Sequence, residues 1–391
     1  MYLESGDLLN NIWTVIAAIL VFALMIAVHE AGHFSAAKLF GIRVNQFAIG
    51  MGPVIWKKQG KETLYSVRAI PMGGFCQMEG EDSYSNDKRS FGNAAWYKRF
   101  IVVFAGAFLN IVLGFIIFII LQSAKTTNYT TVIDTVVPNT NVVQAGFAEG
   151  DRIIGIGNAK INIYEDLSFE LNRVTDKPVM VTAMRGNEKI SAVITPSKQE
   201  NVYSFGENEF TLVSYVNGAE ISRENYPAQD TEQYKSLIGK TQTQTGYIIG
   251  FTPRRESMTP FLAVRNAFYL TFYNIKIVYV SLWELIRGAV PVSQVSGPIG
   301  IIGVIGQAAS VNWTALLGLV ALLTVNLGIM NLLPIPALDG CKLVLILAEA
   351  VTKKKIPPEK EGVIQLIGFG ILVLVMIWAT YNDIVRIFTG Q

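Results

Sequence analysis

Four stretches of this chain are too apolar and too long to rest in water. Residues 8–28 carry no charge at all, and residues 100–121, 313–333 and 363–382 are nearly as apolar. Each approaches the roughly 20 residues that carry a helix through the hydrocarbon core of a bilayer. Because lipid offers no hydrogen bonds, such runs must close their backbone bonds internally, as helices. The third run lies in a 51-residue uncharged tract, residues 288–338, that Gly and Pro interrupt, so the tract reads as a connecting loop and one span. The first run is expected to stay as a span rather than to be a cleaved leader: Glu4 and Asp7 stand where positive charge is expected, and no small-residue cleavage site lies ahead of HEAGH. The expected core is therefore four transmembrane helices. With 391 residues, 51% of them hydrophobic, the chain still has room for a soluble module.

The distribution of Lys and Arg gives an orientation. Residues 38–99 hold ten Lys/Arg against five Asp/Glu, and the loop before the fourth span carries Lys353, Lys354, Lys355 and Lys360. Residues 125–256 carry 13 basic and 16 acidic residues. The two short basic loops are expected inside, and both termini and the long segment outside. A net charge of +2 with no basic stripe excludes a nucleic-acid binder. Two cysteines, Cys76 and Cys341, exclude a disulfide framework.

Between spans two and three, "AGFAEGDRIIGIG" gives a turn and a short strand, "DLSFELNR" a short helix, and "VMVTAMRGNEKISAVITP" a hairpin turning at Arg185, Gly186 and Asn187. This order is similar to a PDZ domain, an α+β module spanning residues 123–256, with polar residues 200–245 inserted before the strand "YIIGFTP". In residues 257–311 the expectation is a helix and a loop. Arg265, Lys276 and Arg287 recur every 11 residues, within about 40° of one another on a helix, so residues 260–287 read as an amphipathic helix in the membrane interface. Residues 44–81 alternate apolar and polar residues between Gly-rich turns and read as two membrane-associated β-hairpins. The remaining divisions are residues 1–122, with the first two spans, and residues 312–391, with the last two.

The first apolar run ends in "HEAGH", and its His29 and His33 are the only histidines in the chain. Four residues apart on a helix, they share a face, so both can reach one metal ion; Glu30, about 100° round, is placed to hold a water. Ionisable groups at a membrane helix end are costly to keep there without a function. Two histidines leave a catalytic zinc one protein ligand short. Asp339, the first charge after the uncharged tract, ends span three on the same side as His29 and His33. Pro334 and Pro336 break the backbone just before it.

HEAGH, "GMGP", "IPMGGF", the PDZ-like module, "VSGPIGI" and "NLLPIPALDG" follow one another in an order that resembles the site-2 protease family of intramembrane zinc metalloproteases, in its bacterial regulated-proteolysis, sigma-E-protease-like branch. The resemblance implies one zinc ion on His29, His33 and Asp339, with Glu30 as general base. It implies that Asn331 and Asn326 grip substrate backbone and that the hairpins present substrate as an extended strand. Membrane proteins with a transmembrane segment, such as anti-sigma factors or remnant signal peptides, would be substrates in a bacterial inner membrane, with the site near the cytoplasmic leaflet. Cys341 and Lys342 stand where such proteins commonly have Gly and His, and Ala107 where Pro is usual. Two rival readings are a scaffold with a relic zinc site, which needs no Glu30, and a zinc transporter, for which spans two and four offer no intramembrane carboxylate or histidine. Oligomeric state is not legible in the residues.

Overall fold

A computed structural model describes residues 12–81, 83–228, 232–289, 291 and 296–389. The start of the first apolar run, residues 8–11, the flanking Glu4 and Asp7, and Val295 of VSGPIGI lie outside the described residues. In chain order the main elements are α1 (Ile12–Leu39), β1 (Val44–Gln59), β2 (Leu64–Met78), α2 (Trp96–Ser123), β3 (Thr127–Val136), β4 (Arg152–Ile156), β5 (Ala159–Lys160) and α3 (Tyr164–Leu171). Next come β6 (Val179–Arg185), β7 (Glu188–Ile194), β8 (Ser197–Phe205), β9 (Glu209–Val216), β10 (Ala219–Pro227), β11 (Thr241–Ile248) and β12 (Phe251–Ser257). The chain ends with α4 (Pro260–Ile286), α5 (Pro298–Val311), α6 (Trp313–Asn331), α7 (Asp339–Thr352) and α8 (Pro358–Thr389). Two compact units result, one from Met1–Gln122 with Thr271–Gln391 and one from Ser123–Leu270.

Among the described residues of the first unit, α1, α2, α6 and α8 are the helices long and apolar enough to cross a membrane. Small residues let them approach closely, as packing in lipid favours. A Cβ on Gly32 of α1 would overlap the Ala105 carbonyl of α2, and one on Gly328 of α6 would come 2.7 Å from the Ala107 carbonyl. Thr324 of α6 donates to the Asn110 carbonyl at 3.3 Å.

The connecting loop expected before span three is in part a helix. Its glycines, which read as breakers, serve close approach instead. Gly306 of α5 sits against Thr14 of α1, where a Cβ would overlap the threonine methyl. The N–H groups of Gly297 and Gly300 donate to Asp383 at 3.0 and 2.8 Å, so a carboxylate of α8 caps the first turn of α5. Asp383 is buried. Span four therefore does carry a buried carboxylate, because its helix runs past residue 382 to Thr389.

Residues 44–78 form one long pair, β1 with β2, folded over on itself, rather than two separate hairpins. Phe47 faces Cys76 on one side and Tyr65 on the other, while Lys57 faces Ser66. Beneath it Ala37, Val44, Met78, Phe91, Val102 and Leu343 are among the residues of a core that joins this sheet to α1, α2 and α7.

The second unit holds two sheets. The larger runs β12-β3-β4-β6-β7, with β5 on β4. Its core gathers Ile133, Ile153, Leu167, Val181, Ile194 and Ile249 among others, with Leu167 supplied by α3. The polar insertion is a sheet of its own, β10-β9-β8-β11, over residues 197–248. The single strand expected at "YIIGFTP" is consequently divided. Tyr247 and Ile248 pair with β8, Phe251 onward pairs with β3, and Gly250 at φ +111° turns between them.

In α4, Ala263, Asn266, Ala267, Thr271 and Asn274 are buried, whereas Phe261, Phe268, Phe272, Tyr279 and Trp283 are exposed. The buried side is small and polar and the outward side aromatic, the reverse of a helix on a water-soluble domain.

Candidate metal centre

Helix α1 delivers His29 and His33 one turn apart, and α7 begins at Asp339. Helix α6 ends at Asn331, and Pro334 and Pro336 hold the intervening segment non-helical. Within it Ala337 takes φ +75°, an unusual conformation for a residue with a side chain. That bend starts α7 anew, and any Cβ on Gly340 would overlap the Leu332 and Leu333 carbonyls. A buried ion pair, Arg99 to Glu349 at 2.6 Å, ties α7 to α2 further along.

Three donors converge. His29 Nε2 and His33 Nε2 lie 3.2 Å apart, and Asp339 Oδ2 lies 3.1 Å from the first and 3.3 Å from the second. Two imidazoles and a carboxylate are a donor set that zinc takes, at bond lengths of about 2.1 Å. A tetrahedron with such bonds has edges of about 3.4 Å, close to the three separations here. Asp339 Oδ2 is buried and accepts no hydrogen bond, as an atom reserved for a metal would be. Among the described residues these three form the group able to hold an ion; Cys341 is buried outside it.

The other ring nitrogens fix the histidines. His33 Nδ1 lies 2.9 Å from the Val102 carbonyl and donates to it, which leaves Nε2 unprotonated toward the site. His29 Nδ1 lies 3.5 Å from the Asn110 amide, and the Oδ1 of that amide is buried without a partner. Turning the amide over would set Oδ1 to accept from Nδ1–H, since amide nitrogen and oxygen are interchangeable in placement. Gly106, one turn before Asn110, makes room for both rings. A Cβ there would overlap His33 Nε2 and come 3.0 Å from His29 Cε1.

Glu30 is half-buried beside His29. Strand β2 passes directly over it: a Cβ on Gly74 would lie 3.1 Å from Glu30 Cγ and 3.0 Å from the Ala48 carbonyl. Asn326 and Asn331, expected to hold substrate, lie partly buried in the last two turns of α6. The amide that reaches an imidazole belongs to Asn110 instead. Ala107 was legible as a departure from the family pattern, but Asn110 was not legible as a neighbour of His29, because only packing of α2 against α1 brings it there.

The profile of peptidase family M50 matches residues 17–375. A protein of Clostridium acetobutylicum, named as a zinc metalloprotease, is 33% identical over 376 residues, covering 96% of this chain and 98% of the relative. A Clostridium perfringens protein of the same description is 32% identical over 95% of this chain and 98% of its own length. A protein of Enterococcus faecalis, named as a protease, is 29% identical over 96% of this chain and 99% of its own. Apolar helices, a donor set suited to zinc and this full-length similarity converge: the chain belongs to peptidase family M50 and is a membrane-embedded zinc metalloprotease.

Proposed function

We propose that this protease hydrolyses peptide bonds within or near transmembrane segments of membrane proteins, with His29, His33 and Asp339 as zinc ligands and Glu30 as general base. The observation that carries the reading is the convergence of the three donors, 3.1–3.3 Å apart, at the end of an apolar helix that also bears Glu30.

Zinc, when bound, supplies Lewis acidity and lowers the pKa of water from its bulk value toward about 7. Glu30 accepts the proton of the attacking water and returns it to the leaving nitrogen. His33, held by the Val102 carbonyl, and His29, beside Asn110, keep their lone pairs aimed at the centre. A transmembrane substrate has every carbonyl hydrogen-bonded, so it must unwind before attack. Pairing with the β1–β2 sheet, which crosses over Glu30 at Gly74, would repay part of that cost. Asn331 and Asn326 would hold the unwound backbone.

The Lys/Arg bias supports a site at the cytoplasmic leaflet of the bacterial inner membrane and a second unit outside it. That second unit, in our reading PDZ-like, would admit only substrates already trimmed outside, in the manner of regulated intramembrane proteolysis. Single-span anti-sigma factors and remnant signal peptides fit this substrate class.

Glu30→Gln tests the assignment. The variant should retain one zinc per chain and lose cleavage of a membrane-embedded peptide by at least about 1000-fold, the scale of removing an essential base. Near-normal cleavage would overturn the role of Glu30.

A further inference from the structure

Lys342 replaces the histidine expected after the LDG segment, and the structure gives it a partner. Its Nζ lies 2.6 Å from Glu81 Oε1, with both side chains about five-sixths shielded from solvent (16% and 17% exposed). It also lies 3.8 Å from Glu361 of α8 and over the Phe91 ring at 5.3 Å. The other Glu81 oxygen, Oε2, accepts from the backbone N–H of Met78, the last residue of β2, at 3.3 Å. Lys342 stands one turn after Asp339 on α7, so the two share a face. Glu81, Asp339, Lys342 and Glu361 line one small cavity of about 210 Å³.

These contacts make a single chain of connections. It runs from β2, which lies over Glu30 at Gly74, through Met78, Glu81 and Lys342 to the turn that carries the third metal ligand. We infer that the Lys342–Glu81 ion pair is a positioning device that sets the β1–β2 sheet in register with the metal centre. Lys342 is a positioning residue, not a catalytic one. The inference rests on the reading above in which substrate pairs with this sheet, and it explains why a long ammonium serves at this place. An ammonium on a four-carbon stem can reach across to the sheet while leaving the first turn of α7 undisturbed.

The test uses the full-length protein in proteoliposomes and a fluorescent single-span peptide with a central Asn-Pro helix break. Lys342→Met and Glu81→Gln should each lower kcat/KM about tenfold, the scale of one lost charge-assisted contact, with zinc still at one per chain. The double reversal Lys342→Glu with Glu81→Lys should recover most of the loss, which a merely bulky or structural role would not allow. Unchanged singles, a double no better than the worse single, or zinc lost with the singles would each overturn the inference. A second measurement does not depend on cleavage. Spin labels at Lys58→Cys and Lys354→Cys should give a narrow distance distribution that broadens in Lys342→Met and narrows again in the double reversal. Equal widths in all three proteins would also overturn it. If the wild type leaves the peptide intact, the proposed substrate class falls, and if Glu30→Gln cuts it equally well, the role of Glu30 falls, while in both cases the spin-label result still decides the ion pair.

Discussion

Both histidines proposed as zinc ligands have a second contact through Nδ1, and that is where single substitutions should tell. Gly106→Ala adds a methyl onto His33 Nε2. The purified variant should lose its zinc, seen by metal analysis, while the helices remain folded by circular dichroism. Asn110→Ala removes the group beside His29 Nδ1 without touching a ligand. Losses of such outer contacts cost about 10- to 100-fold in metal affinity, and competition with a chelator should read a shift of that size. HEAGH was legible because a helix places residues four apart on one face whatever surrounds it. Gly106 and Asn110 were not, since Asn110 is 81 positions from His29 and meets it only when two helices pack.

Among the elements, α5 shows how a local reading fails. Glycines at 297, 300, 303 and 306 lower helix propensity, yet three of them admit Asp383, Ala379 and Thr14. Asp383→Leu would leave two N–H groups of α5 without their acceptor. It should destabilise the protein by about 2 kcal/mol, read as a lower unfolding midpoint in detergent. In the second unit, buried Asp151 accepts from Arg185 Nε and Nη2 and from the Ala148 N–H, all at 2.8 Å. The Arg185 guanidinium, above all, holds the Asp151 carboxyl below the ordinary aspartate range. A carboxylate with a depressed folded pKa stabilises fully above its unfolded value, near 4, and loses that contribution as pH falls through the folded one. Hydrogen-exchange protection of β4 and β6, corrected for intrinsic rates, should therefore hold above about pH 5 and fall below about pH 4. Asp151→Asn should flatten that dependence.

For the whole molecule, the charge bias makes an orientation that can be checked directly. Both native cysteines are buried, so introduced ones report alone. Asn158→Cys in the second unit should react with a membrane-impermeant maleimide added to intact cells whose outer barrier has been opened. Lys58→Cys should react only after the inner membrane is permeabilised. The opposite pattern would reverse the topology and place the centre at the outer leaflet.

Short-range physics wrote its part into the residues: the apolar lengths of four helices, the paired imidazoles with their carboxylate, and the proline break before Asp339. Burial of a helix in lipid and the 3.6-residue period act within a few turns, so those features survive without knowledge of neighbours. It took the packed fold to show that the glycine-rich tract holds a helix, that the insertion is a separate sheet, that Asn110 and Gly106 lie against the histidines, and that Lys342 reaches Glu81. Each of these depends on which backbone comes close to which, and no local pattern carries that information.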